Sequence, residues 1–477
     1  MVLQKTDGEY NIPLLFLNFL TNELKHVRKR AMITLPISII FAVCIAASFF
    51  LMNIKPDTSH VSQAQKLAEY TKPAVVRIVD YAIVEWKFVN NDPDVDAYLH
   101  QLDYRTMIGA SGSGAIISSN GYIVTNAHVV EYSKAEEKDI AHAAFEQLVA
   151  GVAEYFGVDF DIAYDYMIEY TLYTNVTRGL KVILPGGDVL DGEVKSYGAP
   201  VNQGKDVAVL KVEGKHLPTL PLGDSDNVQN QDDIWVIGYP AAAESDYLSP
   251  DSSLVSSMNA GPVSATSKKT EQGSPVIQID AAATHGNSGG PVINKRGEMI
   301  GLLTFRGGTV NRQEVQRFNF VVPVNTVKEF VKQAGADQGQ GSIDTLFREG
   351  LTLYWGGYYK DALAKFEAVE RLYPGHSEIK RFITDSQQKS GQSKILWSTY
   401  KTAFLIFDGV ALLLIIGLLV FTFACKPKQQ TKAASADGPP VASADLNGDG
   451  KVHLQDVLLA LQQQQQQTDD SKKKESP

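Results

Sequence analysis

Three residue types that serine acyl transfer requires occur in this chain, each beside an apolar run. His128 lies near the end of the stretch GYIVTNAHVV, Asp206 begins DVAVLKV, and Ser288 lies between small residues in GNSGGP. A nucleophilic serine needs a base that accepts its proton and a buried carboxylate that orients the base. Taken alone, each of these residues has an ordinary structural explanation: a histidine in a core, an acid at a strand end or a serine in a turn. In the order His, Asp, Ser, at intervals of roughly eighty residues, they predict a catalytic triad.

Short β-rich runs must position these residues. From about residue 73 to 333 the runs include AVVRIVDYAIV, SGAIISSNGYIVTNAHVV, LKVILPGGDVLDGEV, DIWVIGYP, SPVIQID and FNFVVPV, separated by Gly, Asn and Asp. Such runs with NG and GG turns are typical of an antiparallel all-β barrel or sandwich.

The segments GSGAIISSNGYIVTNAHVV, DVAVLKV and IQIDAAATHGNSGGPVINKRGEMIGLLT resemble the trypsin-like serine proteases of the HtrA (DegP) type. The resemblance covers about 73–333 and implies a mainly β fold, the chymotrypsin-like double β-barrel. It implies His128 as general base, Asp206 as its orienting acid and Ser288 as nucleophile, with the backbone N–H groups of Gly286 and Ser288 as oxyanion hole. It implies no cofactor for catalysis, and polypeptide substrates.

Two apolar runs predict transmembrane helices at 31–54 and 402–425. Each is long enough for a bilayer core of about 30 Å. The basic cluster Lys25, Arg28, Lys29 and Arg30 precedes the first run and places segment 1–30 in the cytoplasm. The expected localisation is a two-pass membrane protein whose protease domain, 55–333, is extracytoplasmic, on the periplasmic or outer face. A cleaved signal peptide is the alternative for the first run.

An insertion follows His128 at 131–175, with apolar residues near helical spacing among many acids and tyrosines. A lid or substrate-gating helical hairpin is one interpretation, and a solvated decorative insertion is the other.

Segment 343–390 resembles one tetratricopeptide repeat after a Gly/Gln-rich linker. The matching residues are Gly350, Gly357, Tyr359, Ala362, Phe366, Val369 and Pro374. A single repeat leaves one face open. Either 376–390 caps it, or it packs on the protease, on another protomer of a homo-oligomer such as a trimer, or on a protein partner.

The C-terminal segment 426–477 contains the motif DLNGDGKVHLQD at 445–456, which resembles an EF-hand or dockerin-type calcium loop. The expected Ca2+ ligands are Asp445, Asn447, Asp449, Lys451 and Asp456. Asp456 is shorter than the glutamate usual at this position, and a metal-free polar turn is the alternative.

Composition excludes several other classes of function. The formal net charge of −10 provides no basic surface for nucleic acid. Cys44 and Cys425 lie inside the apolar runs at opposite ends of the chain, which excludes a stabilising disulfide or a cysteine metal cage. The sequence therefore predicts a membrane-anchored serine endopeptidase that cleaves misfolded or exposed polypeptides in extracytoplasmic quality control. The alternative is a proteolytically silent binding or chaperone module that acts through the repeat and the calcium loop.

Overall fold

The structure is a computed structural model that describes residues 12–241, 249–306, 309–310, 313–314, 318–337 and 339–424. The chain divides into two units. One comprises 1–47 with 406–477, and the other comprises 48–405.

Six antiparallel strands close a first barrel in the order β1-β2-β3-β6-β5-β4. Their bounds are β1 Val75–Phe88, β2 Arg105–Ile116, β3 Tyr122–Thr125, β4 Thr171–Ile183, β5 Val189–Tyr197 and β6 Ala208–Val212. Side chains of β1 alternate between buried and half-buried, as expected when one face of a strand fills a barrel. The barrel core contains Ile78, Ile116, Ile123 and Leu210.

Strands β1, β2 and β4 continue beyond the closed part of this barrel. Pairing of β1 with β2 runs from Val75 opposite Ala115 to Glu85 opposite Arg105, whereas β3 pairs only with the last two residues of β2. The result is a three-stranded ribbon that projects from the barrel.

A second barrel has the order β10-β11-β14-β9-β8-β7. Its strands are β7 Asp233–Gly238, β8 Ser257–Lys269, β9 Pro275–Ile279, β10 Pro291–Ile293, β11 Met299–Arg306 and β14 Asn319–Pro323, and β12 Thr309–Val310 pairs with β13 Gln313–Glu314 apart from it. Helix α6, Val324–Gln333, buries Val327 and Phe330 in the core shared by the two barrels. The two six-stranded barrels fit the predicted chymotrypsin-like double-barrel fold.

Three helices cover the projecting ribbon: α3 Pro93–Gln101, α4 Glu137–Phe156 and α5 Phe160–Tyr170. Asp92 and Asp159 cap the N-termini of α3 and α5, and Gly157 ends α4 in the left-handed conformation. Leu148 of α4 and Met167 of α5 join Trp86 of β1 in one buried cluster. Helices thus occupy most of 131–175, and the last five residues of that segment belong to strand β4.

A helical bundle follows the barrels: α7 Ser342–Gly356, α8 Tyr359–Leu372 and α9 Ile379–Gln388. Phe382 of α9 stacks on Phe366 of α8, with 5.1 Å between ring centroids. Asp344 of α7 accepts hydrogen bonds from the Thr219 amide (2.9 Å) and the Thr219 hydroxyl (2.5 Å), and Thr219 lies after the first barrel. The bundle is therefore covered by α9 on one side and bonded to the barrel unit on another.

Helix α2, Gln63–Thr71, also contacts the bundle. Glu69 forms an ion pair with Arg381 of α9 (2.7 Å), and the Tyr70 ring contacts Trp355 of α7. A capping box at Ser62 and Gln65 begins α2.

Two helices are long and apolar enough to cross a membrane, judged by length and composition: residues 23–52 within α1, Ile12–Met52, and residues 397–423, which contain α10, Lys401–Phe423. The Thr34 and Thr422 hydroxyls form a hydrogen bond of 2.6 Å, and the Arg30 guanidinium lies over the Phe421 ring. These contacts join the beginning of the first apolar segment to the end of the second, so the two helices run antiparallel.

Candidate active site

Neighbouring strand ends bring His128 and Asp206 together. Strand β3 ends at Thr125, three residues before His128, and β6 begins at Ala208, two residues after Asp206. Thr125 pairs with Ala208, so both residues leave the same edge of the first barrel. The local sequence supports this placement, since an apolar strand ends shortly before His128 and another begins shortly after Asp206.

The Asp206 carboxylate binds both the ring and the backbone of His128. Its Oδ2 lies 2.7 Å from Nδ1 of the imidazole, and its Oδ1 accepts a hydrogen bond from the His128 amide at 3.0 Å. The Asp206 side chain is fully buried. Asn126 donates from Nδ2 to the Asp206 carbonyl at 2.9 Å, which fixes the backbone as well. A carboxylate held in this way fixes the orientation and tautomer of the imidazole.

Thr304 of β11 is a third partner of this carboxylate. Its hydroxyl donates to Asp206 Oδ2 at 2.5 Å, across the junction of the two barrels. The sequence analysis did not single out Thr304. The available signal was one hydroxyl residue within the apolar strand MIGLLTFR, which has no special spacing from the triad motifs.

The pKa of His128 is raised above 6.5 by opposing effects. Burial of the imidazole disfavours its charged form and lowers the pKa. The hydrogen bond and negative charge of Asp206, with the charge of Glu131, raise the pKa by more. The site therefore stabilises an imidazolium, the species that forms when His128 accepts a proton.

Ser288 lies in a tight loop whose shape requires glycine. Gly286 has φ of 89°, and a Cβ there would lie 2.2 Å from the Tyr239 carbonyl oxygen. The Ser288 carbonyl accepts from the Ser113 amide at 2.8 Å, which fixes the loop against β2. The Ser288 hydroxyl donates to the Thr304 carbonyl at 3.3 Å. Ser288 and His128 line the same cleft, although this hydroxyl bonds to β11 and not to the imidazole.

The peptide between His285 and Gly286 has a fixed orientation. The His285 carbonyl accepts from the Ala241 amide at 2.7 Å, and since the peptide is trans, the Gly286 N–H points to the opposite side. Within the described part of the chain, the N–H groups of Gly286 and Ser288 donate no hydrogen bond. Two such donors can stabilise a developing oxyanion.

Ser113 is a second residue that the sequence analysis missed. Its buried hydroxyl donates to the Gly286 carbonyl at 2.7 Å and accepts from the Tyr239 amide at 2.9 Å. Ser113 belongs to β2 of the first barrel, whereas Gly286 and Tyr239 belong to the second. The hydroxyl thus fixes the loop of Ser288 from across the barrel junction.

The cleft has a volume of 360 Å3. Its lining residues are Arg77, Ala110, Ser111, His128, Val129, Tyr239, Ala241, His285, Gly286 and Ser288. None of them comes from 131–175, so the helical insertion does not cover the cleft in this structure. The chain that leaves His128 is instead held to β1, because Ser133 donates to buried Asp80 from its hydroxyl (2.5 Å) and its amide (3.0 Å).

The expected calcium ligands lie outside the described residues: Asp445, Asn447, Asp449, Lys451 and Asp456. Among the residues that the structure describes, no group of three or more His, Cys, Asp or Glu side chains could hold a metal ion.

Residues 112–302 match the family model of the trypsin-like peptidase domain. The match includes His128, Asp206, Ser288 and both barrels in large part. This segment of the chain is therefore similar to trypsin-like peptidases.

Relatives of this peptidase domain include HtrA-type serine proteases. The chain is 31% identical over 232 residues to the "Probable periplasmic serine endoprotease DegP-like" of Halomonas elongata, which covers 47% of this chain and 35% of that protein. It is 28% identical over 239 residues to "Serine protease HTRA2, mitochondrial" of Bos taurus, which covers 49% of this chain and 38% of that protein. The chain thus spans little more than a third of these two relatives' length.

A solved structure of the HtrA-type protease AlgW with a decapeptide aligns with a TM-score of 0.36 and 21% identity. The alignment covers 57% of this chain and 67% of that one.

Proposed function

We propose that this chain is a membrane-anchored serine endopeptidase that cleaves misfolded or exposed polypeptides through His128, Asp206 and Ser288. The observation that supports the triad most strongly is the bond network of Asp206, which holds the ring and backbone of His128 from a fully buried position. The peptidase domain supplies the class of reaction.

In the proposed reaction, the Ser288 hydroxyl turns from the Thr304 carbonyl toward the imidazole and loses its proton to His128. The serine oxygen attacks the scissile carbonyl, and the N–H groups of Gly286 and Ser288 stabilise the oxyanion. His128 then gives its proton to the leaving amine. Water hydrolyses the acyl-enzyme with the same base. All groups belong to the chain, and no cofactor takes part in these steps.

The test is cleavage of reduced casein by the purified full chain, beside the Ser288→Ala variant and labelling with an active-site phosphonate. We expect the wild type to cleave and to be labelled, and the variant to lose both. Exposed Ser267 of β8 serves as the matched serine, and Ser267→Ala is expected to retain both. Equal cleavage by wild type and Ser288→Ala would contradict the proposal.

The proposed substrate preference is a small to medium apolar residue on the acyl side of the scissile bond. The stretch AAATHGN before Ser288 provides no carboxylate to pair with lysine or arginine. Cleavage of a peptide library chiefly after Lys or Arg would disprove this preference.

The proposed location is a membrane with the peptidase domain outside the cytoplasm. Two apolar helices and the basic residues before the first of them support a two-pass arrangement. We further propose that the α7–α9 bundle is the tetratricopeptide-like element, and that it acts in self-association or partner binding.

For the loop at 445–456 we propose Ca2+ binding by its five ligands. The spacing of carboxylate and amide oxygens at positions 1, 3 and 5 supports it. Calorimetry of a peptide covering 440–465 should give heat on addition of calcium, and the absence of heat would favour the polar turn.

A further inference from the structure

The negative charge of the chain is concentrated in one region. Segments 90–104 and 131–175, called here the acidic lobe, contain fourteen Asp and Glu and only two Lys or Arg, while the whole chain has a net charge of −10. The remainder of the chain is therefore nearly balanced. The lobe comprises α3, α4, α5 and the beginning of β4.

Helix α5 presents its acids as a stripe. Asp161, Asp165 and Glu169 are spaced by four residues, so they lie on one face of the helix, and all three are exposed. Within the part of the chain that the structure describes, none of them forms an ion pair, whereas Lys138 already pairs with Glu136. The stripe thus offers three carboxylates to a cation from outside.

An apolar groove of 310 Å3 lies between α4, α5 and the first residues of β4. Its lining residues are Trp86, Lys138, Ala141, His142, Phe145, Tyr164, Ile168, Thr171, Leu172 and Tyr173. Ile168 and Leu172 at its rim are 54% and 57% exposed. The rim of the groove meets the acidic stripe, since Ile168 precedes Glu169.

Strand β4 adds an open backbone edge beside the groove. Along its whole length one edge pairs with β1, but the other edge pairs with β5 only from Lys181 to Ile183. Among the described residues, no strand pairs with that second edge over 171–180. An extended peptide can add to such an edge and place alternate side chains in neighbouring pockets.

We propose that the acidic lobe is a docking site for extended polypeptide segments in which lysine or arginine alternates with apolar residues. The strand edge binds the backbone, the groove binds apolar side chains, and the acidic stripe binds the cations. This inference rests on the proposed function, because the segment bound is part of a substrate. Fourteen carboxylates disfavour an anionic lipid surface and also a second copy of the same lobe, since both would repel it.

The lobe lies within reach of the catalytic cleft along one strand. Ser111 lines the cleft, and Thr106 of the same strand, five residues away, hydrogen-bonds to Trp86 of the groove. Five extended residues span about 17 Å. One unfolded chain can therefore occupy both places, and binding at the lobe raises its effective concentration at Ser288.

The binding test uses the full chain in detergent, in the Ser288→Ala background so that no cleavage interferes. The probe is a fluorescent disordered peptide in which Lys alternates with Leu, and its matched peptide has Glu in place of every Lys. One variant combines Asp161→Asn, Asp165→Asn and Glu169→Gln, and a second combines Ile168→Ser and Leu172→Ser. The matched control neutralises three exposed acids elsewhere: Glu213→Gln, Glu271→Gln and Asp337→Asn.

We expect the Lys/Leu peptide to bind and the Glu/Leu peptide not to bind. The first variant should weaken binding about tenfold, as three exposed charge contacts are lost, and the control should not. The second variant should also weaken binding. Equal affinity of the first variant and the control would overturn the proposal, as would equal binding of both peptides. A change of oligomer mass in the lobe variants without a change in affinity would overturn it in favour of self-association.

A second measurement separates this proposal from the proposed function. With Ser288 intact, the first variant should raise KM for a long Lys/Leu polypeptide about tenfold relative to KM for a short peptide that fills only the cleft. If the full chain binds the probe as expected but cleaves nothing, the endopeptidase is wrong and the docking site stands. If cleavage occurs and KM for the long substrate is unchanged, the docking site is wrong and the endopeptidase stands.

Discussion

Thr304 places its hydroxyl on the same Asp206 oxygen that binds the His128 ring. We expect Thr304→Val, which keeps the shape but removes the hydroxyl, to lower kcat/KM about tenfold or more, because a hydrogen bond to a charged group is lost. Thr304→Ser is the matched control and should stay near wild type. Steady-state kinetics on one peptide compares the three proteins, and equal values for Val and Ser would show that the hydroxyl is unimportant.

The raised pKa of His128 determines the pH dependence. Since the base must be neutral, kcat/KM should rise with pH along a limb whose midpoint lies above 6.5. In Ser288→Ala, imidazole NMR should report a His128 pKa above that value, and adding Asp206→Asn should lower it, since the charge that stabilises imidazolium is gone. Glu131→Gln is the comparison, because Glu131 acts through charge alone and should shift the pKa less. A His128 pKa unchanged by Asp206→Asn would contradict this account.

The same shift links His128 to stability. Its folded-state pKa is raised above the unfolded value, so the protonated ring contributes stability that is fully present below pH 6.5. That contribution is lost as the pH rises through the folded-state pKa.

At the residue scale, the sequence identified only those candidate site residues that belong to a local motif. His128 follows an apolar run, Asp206 precedes one, and Ser288 lies in the motif GNSGGP. Ser113 and Thr304 bond to residues far away in sequence, at separations that only the barrel packing determines. No local sequence motif therefore indicated the roles of these two hydroxyls.

Among the elements, the α7–α9 bundle depends on one buried acid. Asp344 accepts from Thr219 twice and from the Gly341 amide. We expect Asp344→Ala to lower the free energy of unfolding by about 2–3 kcal/mol, since it leaves buried donors without a partner. Thermal unfolding measures the change. Glu349→Ala on the same helix removes only a half-exposed pair with Lys365 and should cost less than about 1 kcal/mol. Equal losses from both variants would mean that Asp344 does not fasten the bundle.

Helical spacing in the sequence indicated the helices of 131–175, because α4 and α5 bury apolar residues at helical intervals. The surface they cover could not be foreseen. It is made by β1, β2 and β4, which run far beyond the closed barrel, and strand length depends on pairing between segments distant in sequence. From the sequence, the position of this insertion directly after His128 therefore allowed a lid interpretation. In the structure its helices α4 and α5 pack on the ribbon.

For the whole molecule, two apolar helices predict both termini on one side of the membrane. With Cys44 and Cys425 replaced by Ser, the Glu271→Cys variant should react with an impermeant maleimide added to intact cells, whereas the Ser435→Cys variant should react only after lysis. This follows from the basic residues before the first helix. Labelling of both positions in intact cells would refute the two-pass arrangement.

The packing of separate elements on one another was the feature that the sequence predicted least. From the sequence, the open face of the predicted repeat could be covered by 376–390, by the protease, by another protomer or by a protein partner. In the structure α9 packs on α8, and Asp344 of α7 bonds to Thr219 beyond the first barrel. The assignment of these helices to a tetratricopeptide-like repeat stays a prediction. The contact between α7 and the segment after the first barrel depends on single side chains such as Asp344. In the sequence Asp344 resembles an ordinary surface acid, but in the structure it is buried.

The position of Ser113 has a consequence for how the protein matures. The loop that carries Ser288 is fixed by a hydroxyl from the other barrel, and the Ser288 carbonyl itself is bonded to the Ser113 amide. The candidate site therefore depends on contacts between the two barrels. In the proposed protease, a newly made copy is therefore inactive until its two barrels have closed on each other.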